Sequence, residues 1–235
     1  MATLLLLPGL LCDHIVWQAV IDRLSPHMPV AVGDFTTQDS LTVMAQDMLA
    51  AHPGPLFVAG HSMGGRVAME MARIAPDRVV RLALLDTGIH PRRDAELPKR
   101  QEMIDLAHRD GMAALARVWL PPMVHPDRHG DAALMGALTD MVLRMDADLH
   151  ERQIRALVNR PDASQTIGAY TGPMALIVGR QDAWSPVSQH EDIARLCPQA
   201  RLTIIEDAGH FAPVERPGPV AEALANWALA PEETA

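Results

Sequence analysis

Phe57-Val58-Ala59-Gly60-His61-Ser62-Met63-Gly64-Gly65 is an apolar run that breaks into Gly-x-Ser-x-Gly, with a helical pattern following at once. Val67, Ala68, Met71, Ile74 and Ala75 fall on one helical stripe, and Pro76 stops it. Strand, motif and helix in that order are the context of a nucleophile elbow, a strained turn that holds a serine hydroxyl clear of the backbone. Gly60 and Gly64 stand two residues either side of Ser62, where strand and helix approach too closely for side chains. The helix N-terminus directs partial positive charge at the place where an oxyanion would form. The competing reading is a tight strand-to-helix turn with an ordinary serine.

Outward from this stretch, strand-like and helical patterns alternate. Thr3–Leu7 is a continuous apolar run before Pro8-Gly9. Asp13 can cap a helix carrying Trp17, Val20, Ile21 and Leu24 on one face, and Ser40 one carrying Leu41, Met44, Ala45, Met48 and Leu49. Further strands are expected at Val30–Val32, Leu56–Ala59, Arg81–Leu85, Met174–Val178 and Arg201–Ile205, with late helices near Pro186–Leu196 and Pro219–Leu229. Such alternation builds a parallel sheet with helices on both faces. Residues 92 to about 170 break it and read as three or four helices without a strand, interrupted by Leu120-Pro121-Pro122-Met123-Val124-His125-Pro126. The expected organisation is a core of residues 1–90 and 171–235, with residues 91–170 inserted as a helical cap. The cap methionines, Met103, Met112, Met123, Met135, Met141 and Met145, are read mostly as core filler, with a minority facing a pocket.

The 235 residues are 49% hydrophobic, which suits one α/β domain with an insertion. A net charge of −9 without a basic run argues against nucleic acid or an anionic membrane as partner. The apolar start, Met1–Leu11, lacks a basic flank and a small-residue cleavage site, and reads as a buried strand rather than a secretion signal. No stretch is long enough to span a bilayer. Cys12 and Cys197 are far apart and fit no metal spacing, consistent with reduced thiols and a cytoplasmic setting.

A serine hydroxyl needs a base, and the base needs an orienting acid. Ligands of parallel sheets bind beyond the strands' carboxyl ends. His210, in Glu206-Asp207-Ala208-Gly209-His210-Phe211 past the last strand, is the leading base among 11 histidines. Asp182, beyond Leu176-Ile177-Val178-Gly179, is the leading acid; Asp86, one strand earlier, is the runner-up and has a competing role in the turn Asp86-Thr87-Gly88. Asp207 is read as shaping the His210 loop. Two backbone N–H groups should hold the oxyanion, those of Met63 and Leu10, with Leu11 and His14 less favoured. His125-x-x-x-His129 with Asp127 has ligand-like spacing, but Pro126 breaks the helix it would need, so no metal or other cofactor is implied.

Together these residues resemble the α/β-hydrolase superfamily, and more narrowly its small capped bacterial esterases and haloperoxidase-like hydrolases. The resemblance covers nearly the whole chain and rests on Pro8-Gly9-Leu10 with Trp17 beyond it, Gly60-His61-Ser62-Met63-Gly64-Gly65, Gly179-x-x-Asp182-x-x-x-Pro186, and Gly209-His210 with Glu215-x-Pro217. It implies a triad of Ser62, Asp182 and His210, and six parallel strands in the order 2-1-3-4-5-6, without the family's first antiparallel hairpin. Two departures stand out. Pro8-Gly9 replaces the usual His-Gly of the oxyanion loop, and Asp34–Asp39 replaces a glycine-rich loop at one pocket wall.

The resulting expectation is a serine carboxylesterase acting on a small, neutral, mostly apolar ester. Its pocket would be lined by Leu11, Trp119, Met123, Met145 and Trp184 and depleted of charge. A preference for charged substrates would instead require a buried partner such as Arg180. A lactone, thioester or carbon–carbon bond is an alternative on the same residues, and a slow-turnover ligand receptor is the alternative of another class. Neither the substrate nor the choice between monomer and homodimer is legible.

Overall fold

The computed structural model describes residues 2–231. The elements are β1 (Thr3–Leu7), α1 (Gln18–Leu24), β2 (Val30–Val32), α2 (Leu41–Ala51), β3 (Leu56–His61), α3 (Met63–Ile74) and β4 (Val79–Leu85). Five helices follow, α4 (Leu97–Asp110), α5 (Met112–Trp119), α6 (Ala132–Leu143), α7 (Ala147–Val158) and α8 (Ser164–Ala169). The chain closes with β5 (Met174–Gly179), α9 (Val187–Leu196), β6 (Arg201–Ile205), α10 (Ala212–Glu215) and α11 (Pro217–Ala228). The six strands form one parallel sheet in the order β2-β1-β3-β4-β5-β6.

Burial follows from that order. β5, in the sheet interior, is buried at every residue, and β1 at all but its first. The edge strands β2 and β6 are half-exposed. Helix layers cover both faces, which is why the inner strands read as unbroken apolar runs rather than alternating ones. From β1 the chain crosses through α1 to β2 on one side, then returns to β3 on the other. Right-handed crossovers in opposite directions put α1 and α3 on opposite faces. α1 packs against α11, and α2 against α3.

The reversal makes the gap between the carboxyl ends of β1 and β3 a topological switch point, where open parallel sheets bind ligands. Register aligns Leu7 with Gly60, His61 with Leu85, Leu85 with Ile177 and Gly179 with Ile205. The loops after all these strands therefore open on one edge.

Two local expectations need correction. The segment between β4 and β5 holds five α-helices rather than three or four, because Gly111, at φ 79°, divides one apolar-periodic run into α4 and α5. Ser40 precedes α2 but its side chain makes no cap hydrogen bond. Among the described residues, no helix is long and apolar enough to cross a membrane.

Candidate active site

Ser62 leaves β3 with φ 52° and ψ −113°, a left-handed conformation that disfavours any side chain and costs on the order of 1–3 kcal/mol. The surroundings hold it there. Ser62 N–H donates to Leu85 O at 2.9 Å, and Ser62 O accepts from Thr87 Oγ1 at 2.8 Å. Close packing enforces the flanking glycines. A Cβ on Gly60 would lie 2.2 Å from Gly64 O, and one on Gly64 would lie 2.1 Å from Leu7 O. The second glycine thus serves contact between α3 and β1, not only the turn itself.

Three chain segments meet here, that of Ser62 more than a hundred residues before the other two. His210 Nε2 lies 2.8 Å from Ser62 Oγ, and His210 Nδ1 lies 2.9 Å from Asp182 Oδ2. Asp182 is 3% exposed, and its other oxygen accepts from the N–H groups of Trp184 and Ser185. Burial opposes its ionisation, but the His210 ring and those N–H groups outweigh burial and hold its pKa below the ordinary carboxylate value. The contact with Nδ1 leaves Nε2 free to accept a proton from the serine.

Asp86, the competing acid, does something else. Its Oδ1 accepts from Gly179 N–H at 2.9 Å, tying the end of β4 to the end of β5. Complete burial, then the nearby Asp182 charge, push its carboxyl well above the usual range. His61, 3.8 Å away, is pushed down to about 3, by burial first and then by His210. His61 is therefore neutral near pH 7, and its proximity to Asp86 is not an ion pair. His61 Nε2–H donates to His210 O at 2.7 Å, so the residue before the serine anchors the backbone of His210.

Sequence reasoning assigned no role to Glu215, which holds the His210 loop from its other side. The buried carboxylate accepts from Gly209 N–H at 2.9 Å and His125 N–H at 2.8 Å, while His210 N–H donates to Met123 O. Glu215 thus pins the His210 loop to the turn after α5. The available signal was a glutamate that ends the apolar run Phe211–Val214, five residues after His210. Asp207, at φ 54°, pairs with Arg216, in line with a role in the loop.

A cavity of about 540 Å³ opens over Ser62. Leu10, Met63, Trp119, Met123 and Trp184 line it, and Phe211 stands edge-on to Trp119. Leu11 and Met145 do not. Leu11, at φ 55°, is turned wholly into the core, and its N–H donates to Gln153 Oε1 at 2.8 Å; Met145 packs against the hydrophobic core. Gln153 also donates to Phe35 O, so the loop Asp34–Asp39 is docked on α7 and contributes no lining residue. Met103 and Met123 are the cap methionines that reach the cavity.

Nor is the lining depleted of charge. Arg66, Arg93, Lys99, Arg100 and Arg160 all border it, against one carboxylate, Glu96. Arg93, Lys99 and Arg100 share one stretch at the start of the helical segment, and the fold adds Arg66 from α3 and Arg160 from beyond α7. Arg180 is not among them; it lies at the surface, paired with Glu206. His125 and His129 are both spent on local backbone contacts.

The same architecture recurs in known proteins. A family model described as alpha/beta hydrolase family matches residues 4–223. The chain belongs to that family. It is 27% identical over 225 residues to the esterase YbfF of Escherichia coli K12, covering 92% of this chain and 83% of that protein. The sn-1-specific diacylglycerol lipase ABHD11 of Mus musculus is 26% identical over 218 residues, covering 86% of this chain and 67% of that one. Among solved structures, a malate-bound thermophilic esterase from Thermogutta terrifontis superposes with a TM-score of 0.88 at 26% identity, over 97% of this chain and 90% of the other. The chain is thus a hydrolase of the esterase type within this family.

Proposed function

We propose that this hydrolase cleaves carboxylic esters through an acyl-enzyme built on Ser62, His210 and Asp182. The continuous path from Ser62 Oγ to His210 Nε2, and from Nδ1 to Asp182, carries the reading. His210 takes the serine proton as Oγ attacks the ester carbonyl. The imidazolium that forms is favoured by Asp182 and returns the proton to the departing alcohol. Water then enters by the same base and releases the acid.

The tetrahedral oxyanion falls to the backbone N–H groups of Leu10 and Met63. Met63 opens α3, where first-turn N–H groups have no partner within the helix. Leu10 N–H makes no hydrogen bond among the described residues, whereas Leu11 N–H is committed to Gln153, which favours Leu10. Gly9 still precedes it, with a prospective Cβ 3.0 Å from the His61 ring, so Pro8 leaves the backbone geometry of the loop available. A reducing, cytoplasmic setting belongs to the same proposal, supported by two buried free cysteines.

The test pairs labelling with turnover. A fluorophosphonate probe should modify Ser62 alone, and a p-nitrophenyl ester panel should show steady turnover. A single acylation without turnover would favour a ligand receptor, and labelling at another serine would overturn the assignment.

A further inference from the structure

The unequal charge of the cavity begins with Arg66. It stands four residues after Ser62, in the first turns of α3. A cation there faces the positive end of the helix dipole, the unfavourable orientation. Its residue exposure is 9%, and its one hydrogen bond among the described residues runs from Nη1 to His90 O at 2.8 Å. A guanidinium has five N–H donors. The others are unclaimed by any described residue, and no described carboxylate lies within ion-pair distance.

The neighbouring acids Glu96 and Asp162 relieve this charge only from a distance, without a hydrogen bond to it. Arg160, 7% exposed, and Arg100 both bind Glu96, through Nη2–Oε1 at 2.5 Å and Nη2–Oε2 at 2.9 Å. One carboxylate thus serves two arginines, and Arg66 is a third. Burial and then the Arg160 charge push Arg66 down from its usual value to about 9. His90 is held down as well, first by burial and then by Arg66, Arg160 and Arg93. All this occurs in a chain whose net charge is −9. Retaining His90 O would require one donor, not a fork with uncommitted donors on a cavity wall. Donors left free on a cavity wall gain partners when an anion arrives there.

We propose that the cavity takes an ester whose acyl or alcohol part carries a carboxylate, and that Arg66 receives it, flanked by Arg100 and Arg160. A planar guanidinium matches a carboxylate with two parallel hydrogen bonds. The volume of about 540 Å³ admits a small half-acid. Trp119, Met123 and Phe211 cover the methylene stretch between the two ends. The reacting end of this substrate rests on the ester-hydrolase reading; the anion site does not.

Two measurements separate these. Monomethyl succinate through monomethyl pimelate are compared with neutral ω-hydroxy methyl esters of equal length. At the best length, kcat/KM should favour the half-acid about 10- to 100-fold, the range of a charge-assisted hydrogen-bonded contact. Arg66→Met should bring that ratio near one, and Arg66→Lys should recover part of it, which a merely misfolded variant would not. Calorimetry with free succinate through pimelate on the wild-type protein needs no turnover. Binding that is lost in Arg66→Met supports the anion site even if no ester is cleaved. Half-acids poorer than neutral partners at every length, or a preference untouched by Arg66→Met, would overturn it.

Discussion

Ser62, Asp182 and His210 each stand within five residues of a strand end, whereas Arg66, Glu96, Arg100 and Arg160 are drawn from α3 and from the two ends of the helical segment. The first group is placed by backbone geometry. Parallel register brings the strand ends to one edge, and each loop has only a few residues in which to present its side chain. The second group is placed by helix packing, which brings together residues some sixty positions apart, as in Arg160 and Glu96. On the proposed roles, the contrast teaches that reaction chemistry and substrate selection are separately encoded. The sheet edge can remain unchanged while the helices above it alter what it meets.

The largest expected effect tests the sheet edge. Ser62→Ala should lower kcat by about 10⁴-fold or more, since members of such a unit act together. Its thermal stability should be retained or improved, because alanine removes a polar group from the same strained turn. Ester hydrolysis at the wild-type rate would break the comparison at its root.

The next test compares two acids of the same edge. Asp182→Asn should reduce kcat by about 10³- to 10⁴-fold with the fold intact, by removing the charge that orients His210 and favours its protonated form. Asp86→Asn should change kcat far less, because Asp86 serves as the acceptor of Gly179 N–H, and an amide oxygen can still accept that bond. The reverse ranking would show that the base is oriented from β4.

Glu215 joins the two regions, and its substitution should have an intermediate effect. Glu215→Ala leaves Gly209 N–H and His125 N–H without their acceptor, at about 1–3 kcal/mol for each buried group. A lower Tm should accompany a fall in kcat of about tenfold, with KM little changed; Glu215→Gln should retain more of both. Equal loss in the two variants would mean that the carboxylate charge, not the paired acceptor, holds the loop.

The smallest effect at neutral pH concerns stability. His61 and His190 are depressed to about 3 and about 4 by burial, and both belong to the sheet edge and its flanking helix. In the unfolded chain they titrate near 6.5. Below that value the unfolded state binds more protons than the native state, so stability is full above about pH 6.5 and declines as pH falls towards 4. Glu96, depressed to about 2 because Arg160, Arg93 N–H and Arg100 outweigh its burial, adds a later loss below about pH 4. Urea melts from pH 7.5 to 3.5 should show that slope, and Glu96→Gln should flatten only its acid end. A flat profile would mean that these histidines are protonated in the folded protein.

Much of this was legible without coordinates because its signals are local. An apolar run before Gly60, a helical stripe after Ser62 and short loops after Gly179 and Ile205 determine a parallel sheet with Ser62, Asp182 and His210 on its carboxyl edge. Strand period, chain handedness and glycine sterics act over a few residues, so the linear chain displays them. The cavity wall was decided by tertiary structure. Nothing in the linear order separates Leu11, turned into the core, from Leu10 beside it, or Arg180 on the surface from Arg66 inside. Whether an arginine is paired, and whether a leucine faces a substrate, depends on which distant helix packs beside it. That choice is made only when the whole chain has folded.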